Sequence, residues 1–228
     1  MTSPLRLVIF DVDGTLVDSQ HDILGAMRLA FEGAGLPVPT RSEVLGIVGL
    51  SLPVAMARLV PNGSPAQLDA LVDGYKSAYV ALRAETGAAQ SSPLYPSARA
   101  ILEELHAMPD VLLGVATGKS RRGLDKLIEA HGLEQYFVTQ QVADFHPSKP
   151  HPSMVTTAMA ETGVEAADTV MIGDTSFDME MARAADVVGV GVSWGYHPLT
   201  ALQDAVHVLD DFAGLPPLLS RLWSLSNE

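Results

Sequence analysis

An apolar run that leads directly into a pair of aspartates constrains this chain more than any other feature. Residues 5–10 read LRLVIF, and Asp11 and Asp13 follow with one residue between them. An apolar run of strand length without polar alternation predicts a strand buried on both faces, as in a parallel sheet. Gly14 comes next, where the backbone can turn sharply or approach a ligand closely. Because ligands bind at the carboxyl ends of parallel strands, both carboxylates are expected at a functional site.

The chain beyond residue 90 alternates between strand-like and helix-like stretches. Apolar runs predict further strands at 111–116, 136–138, 169–172, 187–192 and 206–209. Amphipathic spacing predicts helices at 98–108, 120–130, 151–161, 177–185 and 212–225. This alternation predicts an α/β fold with a parallel sheet and right-handed crossovers.

The segment between the first two strands has a different pattern. Residues 18–86 contain no strand-like run, and their apolar residues recur at helical spacing. Ser19 with Asp22, and Thr40 with Glu43, have the spacing of capping boxes at helix starts. The small and polar stretch 87–93 predicts a linker back to the sheet. We therefore expect a small helical bundle inserted after the first strand.

Charge and composition exclude several classes of function. The formal net charge is −13, which argues against nucleic-acid binding and against anionic membrane surfaces. The chain has no cysteine, so disulfides, thiolate metal sites and cysteine nucleophiles are impossible. Residues 1–4 do not resemble a signal peptide, and no apolar stretch reaches the ~18 residues that span a bilayer. These observations predict a cytoplasmic protein.

Polar residues suited to phosphate chemistry follow the later strands. Thr117 and Gly118 offer a hydroxyl and backbone N–H groups at a helix start, where anions bind. Lys149 stands between prolines and could hold a phosphate as a point charge. Asp174 and Asp178, four residues apart after an apolar strand, suit a hard cation. Taken singly, helix capping by Thr117 or Asp174 and an exposed loop position for Lys149 remain open alternatives.

Taken together and in this order, these residues resemble the four-motif signature of the haloacid dehalogenase superfamily. The signature positions are Asp11 with Asp13, Thr117, Lys149, and Asp174 with Asp178. The resemblance covers essentially the full chain. It implies a Rossmann-like core of residues 1–17 and 90–228, with an α-helical cap of residues 18–89. The segments that look most like the phosphoglycolate phosphatase group are 11–19, 95–96, 149–152 and 194–196.

The resemblance implies an acyl-phosphate mechanism assisted by Mg²⁺. Asp11 would be the nucleophile that forms an aspartyl-phosphate, and Asp13 would be the general acid and then the general base. Asp11, Asp174 and Asp13, the last through its main-chain carbonyl, would hold Mg²⁺. The metal would offset the repulsion between these carboxylates and a phosphate dianion.

The remaining signature residues would bind and orient the phosphoryl group. Lys149, Thr117 and the Gly118 N–H would bind its oxygens as charge develops on them. Asp178 would orient Lys149 or a metal-bound water from outside the first layer of contacts. Cap residues 46–53 and Arg58 are candidates for reading the leaving group, since the sheet site alone binds only the phosphoryl group.

The expected activity is hydrolysis of a small phosphorylated metabolite, with phosphoglycolate as the leading substrate. A sugar-phosphate mutase similar to β-phosphoglucomutase and an inorganic pyrophosphatase stay open, because both retain a second aspartate and a cap. A dehalogenase would have no role for Asp13. A phospho-accepting signalling module is a more remote alternative, because such modules carry the acceptor on the third strand and lack a helical insert. We expect a monomer or homodimer without nucleic-acid or membrane partners.

Overall fold

The computed structural model describes residues 4–225, which form six strands and ten α-helices. The strands are β1 Arg6–Phe10, β2 Val111–Thr117, β3 Phe137–Val142, β4 Thr169–Gly173, β5 Val188–Val192 and β6 His207–Leu209. The helices are α1 Gln20–Gly33, α2 Arg41–Leu45, α3 Leu52–Leu59, α4 Pro65–Thr86, α5 Ala88–Ser91, α6 Ala98–His106, α7 Arg121–His131, α8 Ser153–Thr162, α9 Ser176–Ala184 and α10 Leu215–Leu225. Residues 1–3 and 226–228 of the predicted core lie outside the described residues.

All six strands are parallel and lie in the order β3-β2-β1-β4-β5-β6. In this register Phe10 lies opposite Val115 on one side and Ile172 on the other. The carboxyl ends of β1, β2 and β4 therefore meet at one edge of the sheet. The predicted α/β, Rossmann-like fold is confirmed.

The central strand β1 is buried on both faces because helices cover the sheet on each side. Val8 and Phe10 belong to the larger apolar cluster, which includes residues of α6, α7 and α10. Leu7 and Ile9 belong to a second cluster, formed with residues of α8 and α9. This two-sided burial explains why the strand has no polar alternation, and it fixes the position of the aspartates that follow.

Helices α1 to α4 form an apolar cluster of their own. Met27, Met56 and Leu71 are fully buried there, and Phe177 at the start of α9 joins them from the sheet side. No β-strand interrupts residues 18–86, as predicted. The exact division into a core of 1–17 and 90–228 and a cap of 18–89 remains our proposal.

Two predicted stretches differ from the structure. The linker predicted at 87–93 contains the short helix α5, which the sequence pattern did not predict. Gly87, at φ 82°, ends α4, and the helix-forming residues after it begin a new turn. The helix predicted at 212–225 instead begins as a 3₁₀ turn, Phe212–Gly214, because the prolines at 216 and 217 are tolerated only in the first turn of α10.

Strand β3 is longer than the predicted 136–138. Its second half carries Thr139 and Gln141, whose polar side chains did not indicate a strand. Both side chains are buried and are bonded to Glu161, with donor–acceptor distances of 2.5 and 2.8 Å. Because these hydrogen bonds satisfy the polar groups, the strand continues past its apolar part. The other predicted elements differ at their ends by one or two residues.

Candidate active site

Asp11 stands at the carboxyl end of β1, at the centre of the sheet edge. Its N–H donates to the Ile172 carbonyl at 2.9 Å, which ties it to β4. The side chain is 1% exposed, and Oδ1 lies 2.9 Å from Lys149 Nζ. Oδ2 is buried without a hydrogen-bond partner among residues 4–225. Burial raises the pKa of Asp11 to about 7, an effect that Lys149 opposes and Asp178 reinforces.

Asp174 follows β4 directly and is held by residues from two other loops. Thr15 Oγ1 donates to Oδ1 at 2.9 Å, and the Tyr196 N–H donates to Oδ2 at 2.8 Å. The backbone passes close to this side chain at Gly14 and Gly195, where only glycine fits. A Cβ at Gly14 would lie 2.2 Å from Asp174 Oδ2, and a Cβ at Gly195 would lie 2.1 Å from Asp174 Cβ. Burial raises the pKa of Asp174 well above its ordinary value, and the nearby charges of Asp11 and Asp178 raise it further.

Asp178 and Lys149 form a buried pair beside these carboxylates. Lys149 Nζ donates to Asp178 Oδ1 at 2.7 Å, and Asp178 Oδ2 accepts from the Thr175 N–H and hydroxyl at 3.0 and 2.7 Å. Burial disfavours the charge of Lys149, but its pKa lies above the usual range because Asp11 and Asp178 face it. Thr175 is the N-cap of α9, so capping by Asp174 is excluded. Lys149 is 1% exposed, so an exposed loop position is excluded as well.

Three buried carboxylates thus converge at the sheet edge. Asp11, Asp174 and Asp178 each offer an oxygen, and these oxygens lie within 4.8 Å of one another. Lys149 supplies a single positive charge to this group, which leaves excess negative charge in a buried space. Carboxylate oxygens are the ligands that hard divalent cations prefer. The unpartnered Asp11 Oδ2 and this uncompensated charge fit a divalent cation.

Asp13 turns its carboxylate away from this cluster. Its Oδ1 accepts from the Ser19 hydroxyl at 2.6 Å and lies 2.9 Å from Lys119 Nζ. Ser19 therefore makes no side-chain bond to the start of α1, and the capping box predicted for Ser19 and Asp22 is wrong. The capping box of Thr40 and Glu43 is confirmed.

Thr117 and Gly118 lie at the end of β2, facing the same edge. Thr117 is 1% exposed and accepts from the Lys119 N–H at 3.2 Å. Capping by Thr117 is excluded, because Ser120 is the N-cap of α7. A Cβ at Gly118 would lie 2.5 Å from the carbonyl oxygen of Gly49, so the helical insert approaches the sheet loop closely there.

A cavity of about 760 Å³ lies between the insert and the sheet edge. Asp11, Asp13 and Thr117 line its floor. Its insert side is mainly apolar and is lined by Ile23, Met27, Ile47, Val48, Leu50, Leu52, Pro53, Tyr75, Tyr79 and Val80 among others. Much of the predicted segment 46–53 therefore faces the cavity. Arg58 instead places its guanidinium 5.2 Å from the ring centroid of Phe177.

Several residues of this site were missed by sequence reasoning. Lys119 is buried beside Asp13, and Tyr79 on α4 accepts from Lys119 Nζ at 3.4 Å. The Tyr196 hydroxyl accepts from the Ser19 N–H at 2.8 Å. Lys119 directly follows Thr117-Gly118, so its place in that loop was the available signal. Tyr79 lies on the helix face that carries the apolar stripe of α4, so its pattern could not be told from core.

In residues 4–225 no helix combines the length and hydrophobicity that crossing a bilayer requires.

A model of the haloacid dehalogenase-like hydrolase family matches residues 8–192 of this chain.

Named relatives and a solved structure agree with this match. The phosphoglycolate phosphatase of Agrobacterium fabrum is 34% identical over 230 residues, covering 96% of this chain and 95% of the relative. The probable phosphatase IndB of Dickeya dadantii is 32% identical over 228 residues, covering 97% and 96%. The crystal structure of a predicted phosphoglycolate phosphatase from Haemophilus somnus has a TM-score of 0.82 at 23% identity, covering 96% of this chain and 99% of that one. The chain therefore belongs to the haloacid dehalogenase-like hydrolases, as a phosphatase similar to the phosphoglycolate phosphatases.

Proposed function

We propose that this protein is a Mg²⁺-dependent phosphomonoester hydrolase that works through an aspartyl-phosphate on Asp11. The observation that carries the proposal is the state of the Asp11 carboxylate. It is buried at the end of the central strand, with Lys149 Nζ 2.9 Å from Oδ1 and Oδ2 unpartnered among the described residues. A buried carboxylate with one free oxygen, beside a fixed cation, is suited to attack an electrophilic phosphorus.

The donor set at the sheet edge fits Mg²⁺. The Asp11 and Asp174 carboxylates, with the main-chain carbonyl of Asp13, would hold the ion. Asp178 would instead hold Lys149 in place, because its Oδ1 accepts from Lys149 Nζ while Thr175 fixes its Oδ2. When bound, Mg²⁺ would offset the charge of the carboxylates and of the phosphate dianion.

The first chemical step transfers the phosphoryl group to the protein. An Asp11 carboxylate oxygen forms a bond to phosphorus, and the bond between phosphorus and the ester oxygen breaks. Asp13, acting as a neutral carboxylic acid, gives its proton to that ester oxygen, so the alcohol leaves uncharged.

The second step returns Asp11 to its starting state. Asp13, now a carboxylate, removes a proton from a water molecule that attacks phosphorus, and the acyl-phosphate bond breaks. Throughout, Lys149, the Thr117 hydroxyl and the Gly118 N–H would bind the phosphoryl oxygens on which charge develops. The insert approaches Gly118 closely at Gly49, which would limit the access of solvent from this side of the site.

We propose a small phosphorylated metabolite as substrate, and 2-phosphoglycolate as its leading candidate. The support is the similarity to relatives named phosphoglycolate phosphatase. A sugar-phosphate mutase is the second candidate, and it is distinguished from a hydrolase by whether phosphate is released. We further propose a cytoplasmic location and a monomer or homodimer without nucleic-acid or membrane partners.

Phosphate release from a panel of small phosphate esters tests this function. The panel holds 2-phosphoglycolate, β-glucose 1-phosphate, pyrophosphate and p-nitrophenyl phosphate, each with Mg²⁺ and with EDTA. We expect hydrolysis with Mg²⁺, loss of activity in EDTA and recovery when Mg²⁺ is restored. Full activity in EDTA would contradict the metal requirement, and isomerisation of glucose phosphate without phosphate release would indicate a mutase.

A further inference from the structure

The cavity carries positive charge in a chain that is strongly acidic. The formal net charge is −13, from 14 Lys and Arg against 27 Asp and Glu. Among the described residues, five of those cations line the cavity: Lys76, Arg83, Lys119, Arg122 and Lys126. Three of the acids line it, namely Asp11, Asp13 and Asp144. The sign of the charge around the cavity is therefore the reverse of the sign of the whole molecule.

The charges at the floor of the cavity largely balance one another. Lys119 Nζ lies 2.9 Å from Asp13 Oδ1, which pairs one cation with one acid. The three buried carboxylates at the sheet edge face Lys149, and Mg²⁺, when bound, would offset their remaining charge. These groups act on a phosphoryl group at contact distance, but together they exert little net attraction on a dianion that is still in solution.

Lys76 and Arg122 carry charge that is not balanced in this way. Lys76 lies on α4 of the insert and Arg122 in the first turn of α7, so each wall of the cavity contributes one cation. Both are exposed, and neither forms an ion pair within residues 4–225. Lys126, one turn further along α7, instead pairs with Glu129 at 2.7 Å. Asp144 is the one described acid of the lining that is exposed.

The size of the cavity sets the strength of this attraction. A volume of about 760 Å³ corresponds to a width of roughly 9 Å, and over that distance one unit charge favours a phosphate dianion about threefold at 0.01 M ionic strength. At 0.15 M the Debye length is about 8 Å, and the factor falls below about twofold. Charges of one sign that line a cleft act together and raise the local concentration of an anionic substrate.

Such an attraction has a kinetic signature of its own. A phosphate ester keeps its two negative charges from solution to the transition state, so distant cations favour the bound ester and the transition state equally. Uniform binding of this kind lowers KM and leaves kcat unchanged. It also weakens as salt screens the charges, whereas a contact inside the closed site is screened much less.

We propose that Lys76 and Arg122 attract phosphate dianions into the cavity through their charge, without contacting the reacting atoms. This role rests on the proposed function, whose dianionic substrate it serves, and it adds two residues that the catalytic steps do not use. The acidic body of the protein repels anions, and these two cations reverse that repulsion at the cavity.

The test removes both charges and follows the effect of salt. We would measure kcat and KM for p-nitrophenyl phosphate at pH 8 with Mg²⁺, because its leaving group carries no charge in the intact ester. In the double variant Lys76→Gln with Arg122→Gln, kcat/KM should fall about tenfold at 0.01 M ionic strength and about threefold at 0.15 M. The loss should lie in KM, with kcat within about twofold of wild type.

Two control proteins separate local charge from other effects. The double variant Arg183→Gln with Arg221→Gln also removes two positive charges, from exposed residues outside the lining. The exchange Lys76→Arg with Arg122→Lys keeps both charges but changes the shape of both side chains. We expect each control to stay within about twofold of wild type at both ionic strengths.

Binding of inorganic phosphate gives a second measurement that does not depend on turnover. By equilibrium dialysis with Mg²⁺, the double variant Lys76→Gln with Arg122→Gln should bind phosphate about tenfold more weakly at 0.01 M ionic strength and about threefold more weakly at 0.15 M. If this dependence holds while no ester is hydrolysed, the proposed function fails and the role of the two cations stands.

Three results would overturn the proposal. The first is a double variant that matches wild type at 0.01 M ionic strength. The second is a loss that is equal at both ionic strengths or lies in kcat, which would indicate a structural role. The third is an equal loss in the Arg183→Gln and Arg221→Gln control, which would assign the effect to the net charge of the whole protein.

Discussion

Replacement of Lys149 by Met is expected to destabilise the metal-free protein strongly. The change keeps a long apolar stem but removes the positive charge that lies 2.9 Å from Asp11 and 2.7 Å from Asp178. Those carboxylates stay buried, with Asp174 beside them. Removing one partner of a buried ion pair costs about 3–5 kcal/mol of unfolding free energy. For a chain of this size that lowers the melting temperature by roughly 6–20 °C.

Urea unfolding in EDTA at pH 8 measures this loss. Lys149 opposes the burial that raises the pKa of Asp11, so the pKa of Asp11 rises further in the variant and the loss of stability should grow as the pH increases. Lys126→Met is the matched control, because its exposed pair with Glu129 contributes at most about 1 kcal/mol. Mg²⁺ should restore part of the loss in Lys149→Met, since it supplies positive charge at the same carboxylates. Equal urea midpoints for Lys149→Met and wild type in EDTA would refute the reasoning.

Two further substitutions test how the carboxylates are held. Gly195→Ala would place a Cβ 2.1 Å from the Asp174 Cβ, so Asp174 must move. In a metal titration, the Mg²⁺ concentration for half-maximal activity should therefore rise about 10- to 100-fold. A titration that matches wild type would contradict this. Asp178→Asn removes a charge that holds Lys149, so kcat should fall about 10- to 100-fold with a smaller change in KM. Steady-state kinetics that match wild type would exclude the positioning role.

The pattern of apolar strands allowed the fold and much of the candidate site to be predicted from the sequence. Parallel strands bring their carboxyl ends to one edge, so residues at the ends of three apolar runs must be neighbours whatever lies between them. In the structure Asp11, Thr117 and Asp174 lie at the ends of β1, β2 and β4, and Lys149 reaches Asp11 from the loop after β3. The apolar run of β1 also predicted its burial on both faces.

Contacts that depend on tertiary packing, such as those between the insert and the sheet, could not be predicted from the sequence pattern. Tyr79 lies on an apolar helix stripe, and its proximity to Lys119 depends on how the insert sits over β2. Ser19 had the spacing of a helix cap, but its hydroxyl bonds Asp13 instead. Gln141 in β3 gave no strand signal because its hydrogen bond to Glu161 is a tertiary contact. In each case a partner outside the residue's own helix or strand outweighs the local preference.

The most direct test of the central claim is to trap the phosphoryl group on Asp11. In Asp13→Asn the Asp11 carboxylate can still attack phosphorus, but the amide cannot accept a proton from the water that hydrolyses the acyl-phosphate. After brief incubation of this variant with a reactive ester and Mg²⁺, acid quenching and peptide mass spectrometry should find one phosphoryl group on the peptide that contains Asp11. The double variant that also carries Asp11→Asn should carry none. A phosphoryl group on another residue, or an unlabelled Asp13→Asn that still turns over, would contradict nucleophilic catalysis by Asp11.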